Sequence, residues 1–175
     1  LFCGTRGVAK TSCARILAKK INSKGKADLD EDFAFNIFEL DAASNNSVDD
    51  IRSLNEQVKI PPQVGTHKIY IIDEVHMLSL GAFNAFLKTL EEPSKHVIFI
   101  LATTEKQKII PTILSRCQIY DFKRISFKDC KEHLQKIAED QKIKFEEEAL
   151  DLIAQKGDGA LRDVLFIYDR MVSFT

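Results

Sequence analysis

No stretch of this sequence approaches the roughly 18 consecutive apolar residues that a membrane-spanning helix requires, so insertion of that kind is not expected. Cysteine is scarce and scattered. Cys3, Cys13, Cys117 and Cys130 never fall at the close spacing of zinc ligands, so no zinc site is expected and four reduced thiols are the plainer reading. Nothing at the start resembles a secretion signal, and with reduced thiols this makes the cytoplasm the expected compartment. Neither sign of charge is in excess: 25 basic and 26 acidic residues give a net charge of -1. Such a chain has no global basic field, so any contact with nucleic acid must come from a local patch or from partner chains. Internal repeats and low-complexity tracts are also lacking, which leaves an ordinary globular fold.

What is present suffices for a packed core, with 45% hydrophobic residues in a chain of 175. Five short apolar runs read as strands: Leu1-Phe2-Cys3, Ile37 to Leu40, Lys68 to Ile72, Val97 to Leu101 and Ile119 to Phe122. Most are nearly continuous rather than alternating, as expected of a parallel sheet covered on both faces. Between them lie amphipathic stretches, Thr11 to Ile21, Val48 to Val58 and Ser79 to Glu92. The last carries a Phe83, Phe86, Leu87, Leu90 stripe and is stopped by Pro93. Alternating strand and helix predict a doubly wound α/β domain over residues 1–124. From 125 to 175 the pattern is helical only, Ser126 to Asp140, Glu146 to Lys156 and Gly159 to about Val172, which predicts a small all-helical second domain. Asn22 to Asp32 is polar and reads as an exposed connection. Leu1-Phe2-Cys3 reads as the middle of a buried strand and no glycine closes the last helix, so a fragment truncated at both ends is expected.

Gly4-Thr5-Arg6-Gly7-Val8-Ala9-Lys10-Thr11 follows a strand and opens a helix, the setting of a phosphate-binding loop. Backbone N–H groups and the helix N-terminus would hold phosphate, Lys10 would reach the β and γ oxygens, and Thr11 would ligate magnesium. Ala9 stands where the pattern has glycine, and its methyl group would crowd the nucleotide or push the helix start outward. A plain glycine-containing turn with a surface lysine is the alternative. The third strand ends in Asp73-Glu74, the acid pair that accompanies such loops: Asp73 for magnesium, Glu74 to polarise the attacking water. On its own that pair would be a solvated turn. His76 invites a helicase reading, but the chain has no room for a second motor domain, and a packing or capping role is the plainer one.

Further along stand Asp73-Glu74-Val75-His76-Met77-Leu78, then Phe83-Asn84-Ala85-Phe86-Leu87-Lys88-Thr89-Leu90-Glu91-Glu92-Pro93, Leu101-Ala102-Thr103-Thr104 and Leu114-Ser115-Arg116-Cys117. With Glu39-Leu40-Asp41-Ala42-Ala43-Ser44-Asn45-Asn46, these segments resemble the clamp-loader ATPases of the AAA+ class over essentially the whole chain. Within that class they look most like the gamma/tau family of bacterial DNA polymerase III. The Leu-Glu-Glu-Pro and Ser-Arg-Cys segments discriminate best.

The resemblance implies ATP and Mg2+ as ligands, and ATP hydrolysis coupled to opening a sliding clamp and loading it on primed DNA. The partners implied are other clamp-loader subunits in a hetero-pentamer, the sliding clamp and primer-template DNA; the chain is not itself the polymerase. Gly4, Thr5, Arg6, Gly7, Val8, Ala9, Lys10, Thr11 and Ser12 become the nucleotide-binding set. Thr104 becomes the polar sensor near the γ-phosphate, and Arg116 an arginine finger acting in trans on a neighbour's site. Arg162, in Gly157-Asp158-Gly159-Ala160-Leu161-Arg162-Asp163, becomes the lid sensor that reaches the phosphates; an intrahelical ion pair is the alternative. Met77, Leu78 and Phe83 become the clamp-facing surface. The family's four-cysteine zinc module is not expected between Ile21 and Phe38, which holds no cysteine, and its adenine-holding start and third, collar domain would lie outside this chain. Two other readings stay open: a clamp-loader-like subunit in which Ala9 has ended hydrolysis, serving as a structural member or finger donor, and another AAA+ DNA motor.

Overall fold

The structure, a computed structural model, describes residues 1–23, 33–63 and 65–174. Five parallel strands form one sheet: β1 (Phe2–Gly4), β2 (Ile37–Asp41), β3 (Lys68–Asp73), β4 (Val97–Thr103) and β5 (Tyr120–Phe122), in the order β2-β3-β4-β1-β5. Ile37 pairs with Ile69, Ile71 with Ile100, and Phe2 with Ala102. At the other edge the Leu1 nitrogen donates to the Gln118 carbonyl (2.6 Å) and Tyr120 N–H donates to the Leu1 carbonyl (2.9 Å), the slanted pattern of parallel strands. The expected fold class therefore holds. β3 is buried along its middle, which explains its unbroken run of apolar residues.

Between the strands run α1 (Lys10–Ser23), α2 (Val48–Val58), α3 (Leu80–Glu91) and the single turn α4 (Pro111–Leu114). Helix α1 continues past Ile21, taking in Asn22, which the sequence had suggested was an exposed connection. Its side chain is buried and accepts the N–H of His67 (3.1 Å), which is why the polar residue belongs to the helix. The rest of that connection, from residue 24, lies largely outside the described residues. Helix α2 starts at a capping box in which Ser47 and Asp50 satisfy each other's backbone N–H groups. Ser79 caps α3 by accepting from Ala82 N–H. Phe83 and Phe86 of α3 are buried against the sheet, with Leu87 and Leu90 partly so.

The described chain divides into two compact units. The first comprises Leu1–Cys3 and Lys10–Asp121, the second Gly4–Ala9 and Phe122–Thr175. In the second, α5 (Phe127–Asp140), α6 (Glu147–Lys156) and α7 (Leu161–Ser173) enclose a separate core of Cys130, Leu134, Ala138, Leu150, Ile153, Ala154, Val164 and Tyr168. All four cysteines are free thiols; burial raises the pKa of Cys3, Cys117 and Cys130. Among the described residues no helix is long and apolar enough to cross a membrane.

Candidate functional site

In the first unit, α1 begins at Lys10, whose side chain is buried with 6% exposed. Thr11 in the first turn donates its hydroxyl to Asp73 Oδ2 at 2.6 Å, so the helix start and the end of β3 meet side chain to side chain. Ser12 is exposed. Asp73 Oδ1 accepts the N–H of Glu74 (2.9 Å). Glu74 sits in the left-handed backbone region (φ 47), an arrangement that costs a non-glycine residue about 1 kcal/mol or more and gathers at functional sites.

The Glu74 carboxylate is met by Thr104, one residue beyond β4. Its N–H and hydroxyl both donate to Glu74 Oε2, at 3.2 and 2.9 Å. His76 lies on the other side: its Nδ1 is 3.4 Å from the same oxygen, 3.0 Å from Thr103 Oγ1, and its Nε2 is 3.2 Å from Glu105 Oε1. Lys108 donates to Glu105 at 2.8 Å, and this hydrogen bond chiefly holds the Glu105 carboxyl below its ordinary pKa, with His76 adding to it. A packing or capping role was the plainer sequence reading of His76, and the pairing of β3 with β4 that brings Thr103 and Glu105 to it has no signal in the local sequence.

Arg116 follows α4. One terminal nitrogen donates to Glu91 at 2.7 Å and the other to the Thr112 carbonyl at 2.7 Å, so the guanidinium is oriented but partly exposed. Of the three residues assigned to a partner-facing surface, only Met77 is on the outside, with 46% exposed; Leu78 and Phe83 are buried in the core. That assignment is corrected for the latter two, because the apolar stripe of α3 and the residue leading into it cover the sheet.

The second unit holds Gly4, Thr5, Arg6, Gly7, Val8 and Ala9 together with Arg162. Val8 is buried, whereas Thr5 and Arg6 are exposed. Gly7 has φ 82, and a Cβ there would stand 2.9 Å from the Ala160 methyl, so two independent constraints demand glycine. Ala9 takes φ 65, the conformation glycine adopts at no steric cost. The Arg162 N–H, in the first turn of α7, donates to the Gly7 carbonyl (3.4 Å), and its side chain is exposed. Ala160 as Gly7's neighbour was not legible in the sequence.

Thr11 and Asp73 place a hydroxyl and a carboxylate oxygen side by side, the hard oxygen donors that magnesium takes. Among the described residues no group of three or more His, Cys, Asp or Glu could hold a metal. The pair therefore suits an ion that takes few protein ligands and completes its shell with phosphate and water.

A family model described as DNA polymerase III, delta subunit, matches residues 1–126, and one described as DNA polymerase III clamp loader subunit, ATPase lid domain, matches residues 129–175. DNA polymerase III subunit tau of Bacillus subtilis is 48% identical over 188 aligned residues, covering 100% of this chain and 33% of that protein. Subunit tau of Escherichia coli is 43% identical over 99% of this chain and 29% of its own length, and subunit gamma of Buchnera aphidicola 40% over 99% and 50%. The chain thus spans between a third and a half of the Bacillus and Buchnera proteins and under a third of the Escherichia one. Among solved structures, the RuvB Holliday junction branch migration motor of Thermotoga maritima superposes with a TM-score of 0.75 at 19% identity, over 98% of this chain and 53% of that one. A DNA polymerase III gamma-subunit-related protein from Thermotoga maritima gives 0.56 at 22%, over 91% and 53%. At such identities the two structures share the fold alone.

Proposed function

We propose that this chain, which belongs to the tau/gamma family of DNA polymerase III clamp-loader subunits, binds and hydrolyses ATP with magnesium and uses that cycle to open a sliding clamp and load it on primed DNA. The observation that carries the reading is the Thr11 hydroxyl on the Asp73 carboxylate, which joins the residue after the loop lysine to the acid at the strand end. Lys10, Thr11 and the N-terminus of α1 bind the phosphates, aided by Gly4 to Ala9, Ser12 and Arg162. Thr11 and Asp73 hold the magnesium ion, which when bound offsets the phosphate charge. Glu74 takes a proton from the attacking water as its oxygen bonds to the γ-phosphorus. The bond from that phosphorus to the bridging oxygen breaks, leaving ADP and phosphate. Thr104 holds the Glu74 carboxylate through two donated hydrogen bonds. Arg116 neutralises developing charge in a neighbouring subunit's site. Residues 1–124 are the ATPase domain and 125–175 its helical lid, working in the cytoplasm with other loader subunits, the clamp and primer-template DNA.

Titration of ATP and magnesium into the full-length protein tests the reading, with Ala9→Gly in parallel. Saturable binding and phosphate release by the natural sequence are expected, with affinity unchanged or raised a few-fold in the glycine variant, because the loop backbone at Ala9 already has the conformation glycine favours. Saturable binding by Ala9→Gly alone would instead make the natural chain a hydrolysis-deficient, structural or finger-donating subunit. Recovery of the clamp on the assembled complex with ATP separates a loader from a junction motor: failure to retain it counts against loading.

A further inference from the structure

We propose that His76 is a positioning residue for Glu74, an inference that rests on Glu74 being the group that polarises the attacking water. His76 lies in the single turn Val75–Met77 that Glu74 opens, and its side chain is only 6% exposed. Its polar contacts close a circuit. The Glu105 N–H donates to Thr103 Oγ1 at 3.0 Å. Thr103 Oγ1 and His76 Nδ1 are hydrogen-bonded at 3.0 Å, and His76 Nε2 lies 3.2 Å from Glu105 Oε1. With the proton on Nε2, the Thr103 hydroxyl has an acceptor at Nδ1 and the Glu105 carboxylate faces a donor. Thr103 is fully buried at the end of β4, and Lys108 holds Glu105 from the far side, so each imidazole nitrogen faces a group that is itself held.

Fixed in this way, the ring edge at Nδ1 stands 3.4 Å from Glu74 Oε2, while Thr104 grips that same oxygen. A carboxylate on a left-handed backbone, at a strand end, otherwise has room to swing among rotamers. The imidazole removes that room on one side, keeping Glu74 where a water bound against its other oxygen meets the γ-phosphate. Its contribution is orientation, in which a displacement of about 1 Å costs up to about 100-fold in rate.

Steady-state ATPase and ATP-binding measurements on the full-length protein, assembled with its partner subunits, test this with His76→Ala, His76→Asn and His76→Gln. Asn keeps a polar atom at the Nδ1 position and Gln at the Nε2 position. The expected result is a kcat about tenfold or more lower for His76→Ala and His76→Gln, recovery to within about threefold in His76→Asn, and an ATP dissociation constant within about twofold of the parent throughout. Unchanged kcat in His76→Ala overturns the proposal, as does an equal fall in all three variants accompanied by lower melting temperatures, which marks a structural role only. Glu74→Gln is the control for the underlying reading. If the parent does not hydrolyse ATP, or Glu74→Gln hydrolyses it normally, the assignment of Glu74 fails, independently of His76.

Discussion

At the scale of single residues, the site is decided by which oxygen each hydroxyl reaches. Thr104 donates to Glu74, so Thr104→Val removes one charge-assisted hydrogen bond, of about 1.5 to 3 kcal/mol, while keeping the shape of the side chain. A drop in kcat of about tenfold is expected, with ATP affinity unchanged, measured by phosphate release and equilibrium titration. The backbone bond from Thr104 to the same oxygen remains and limits the loss. Lys10, Thr11, Asp73 and Glu74 could be singled out from residue type and spacing, because a phosphate loop and a strand ending in acids follow local rules. His76 could not. Its neighbours Thr103 and Glu105 are 27 and 29 positions away, and only parallel pairing of β3 with β4 brings them within reach. Leu78 and Phe83 show the converse, since a position can match a family's functional segment while its side chain fills the core.

Among the elements, helix starts were the most legible feature and sheet order the least. Ser47, Ser79 and Ser126 each cap a helix by accepting a backbone N–H three residues on, a motif written in the local sequence. At α2 the cap is reciprocal, and the bonds from the Ser47 side chain and then its backbone hold the Asp50 carboxyl below the ordinary aspartate range. A folded pKa below the unfolded one means that this contribution to stability is fully present above about pH 4 and is lost as pH falls through the lower, folded value. Asp50→Asn removes the charge and should therefore be the less stable protein at neutral pH, with the difference from the parent closing as the Asp50 carboxylate of the folded protein is protonated in acid. Chemical denaturation across that range measures it. The edge strand β5 falls within the expected run Ile119 to Phe122, whereas the single turn α4 is too brief for periodicity to announce.

For the molecule as a whole, the two apolar clusters have no residue in common, and each unit has a core of its own. Leu134 is fully buried in the second, and Leu134→Ala should cost that unit about 2 to 5 kcal/mol. Hydrogen exchange should quicken across α5, α6 and α7 and leave β3 and β4 protected at parental levels; uniform quickening would mean that the two cores unfold as one. The switch from alternating strand and helix to helix alone announced two kinds of architecture, because burying both faces of a strand needs a continuous apolar run whereas a helix needs a stripe. By itself, the sequence determined the parallel α/β class, the helix starts to within a residue or two, the loop with its lysine and threonine, and the family. Tertiary structure decided that Thr11 meets Asp73, that Thr104 and His76 flank Glu74, that Gly7 must be glycine because Ala160 lies against it, and that Phe83 is core. The physical reason is the range over which each is specified. Caps and periodicity act within a few residues of chain, but contacts across the sheet and between helices depend on register and packing that no short window contains.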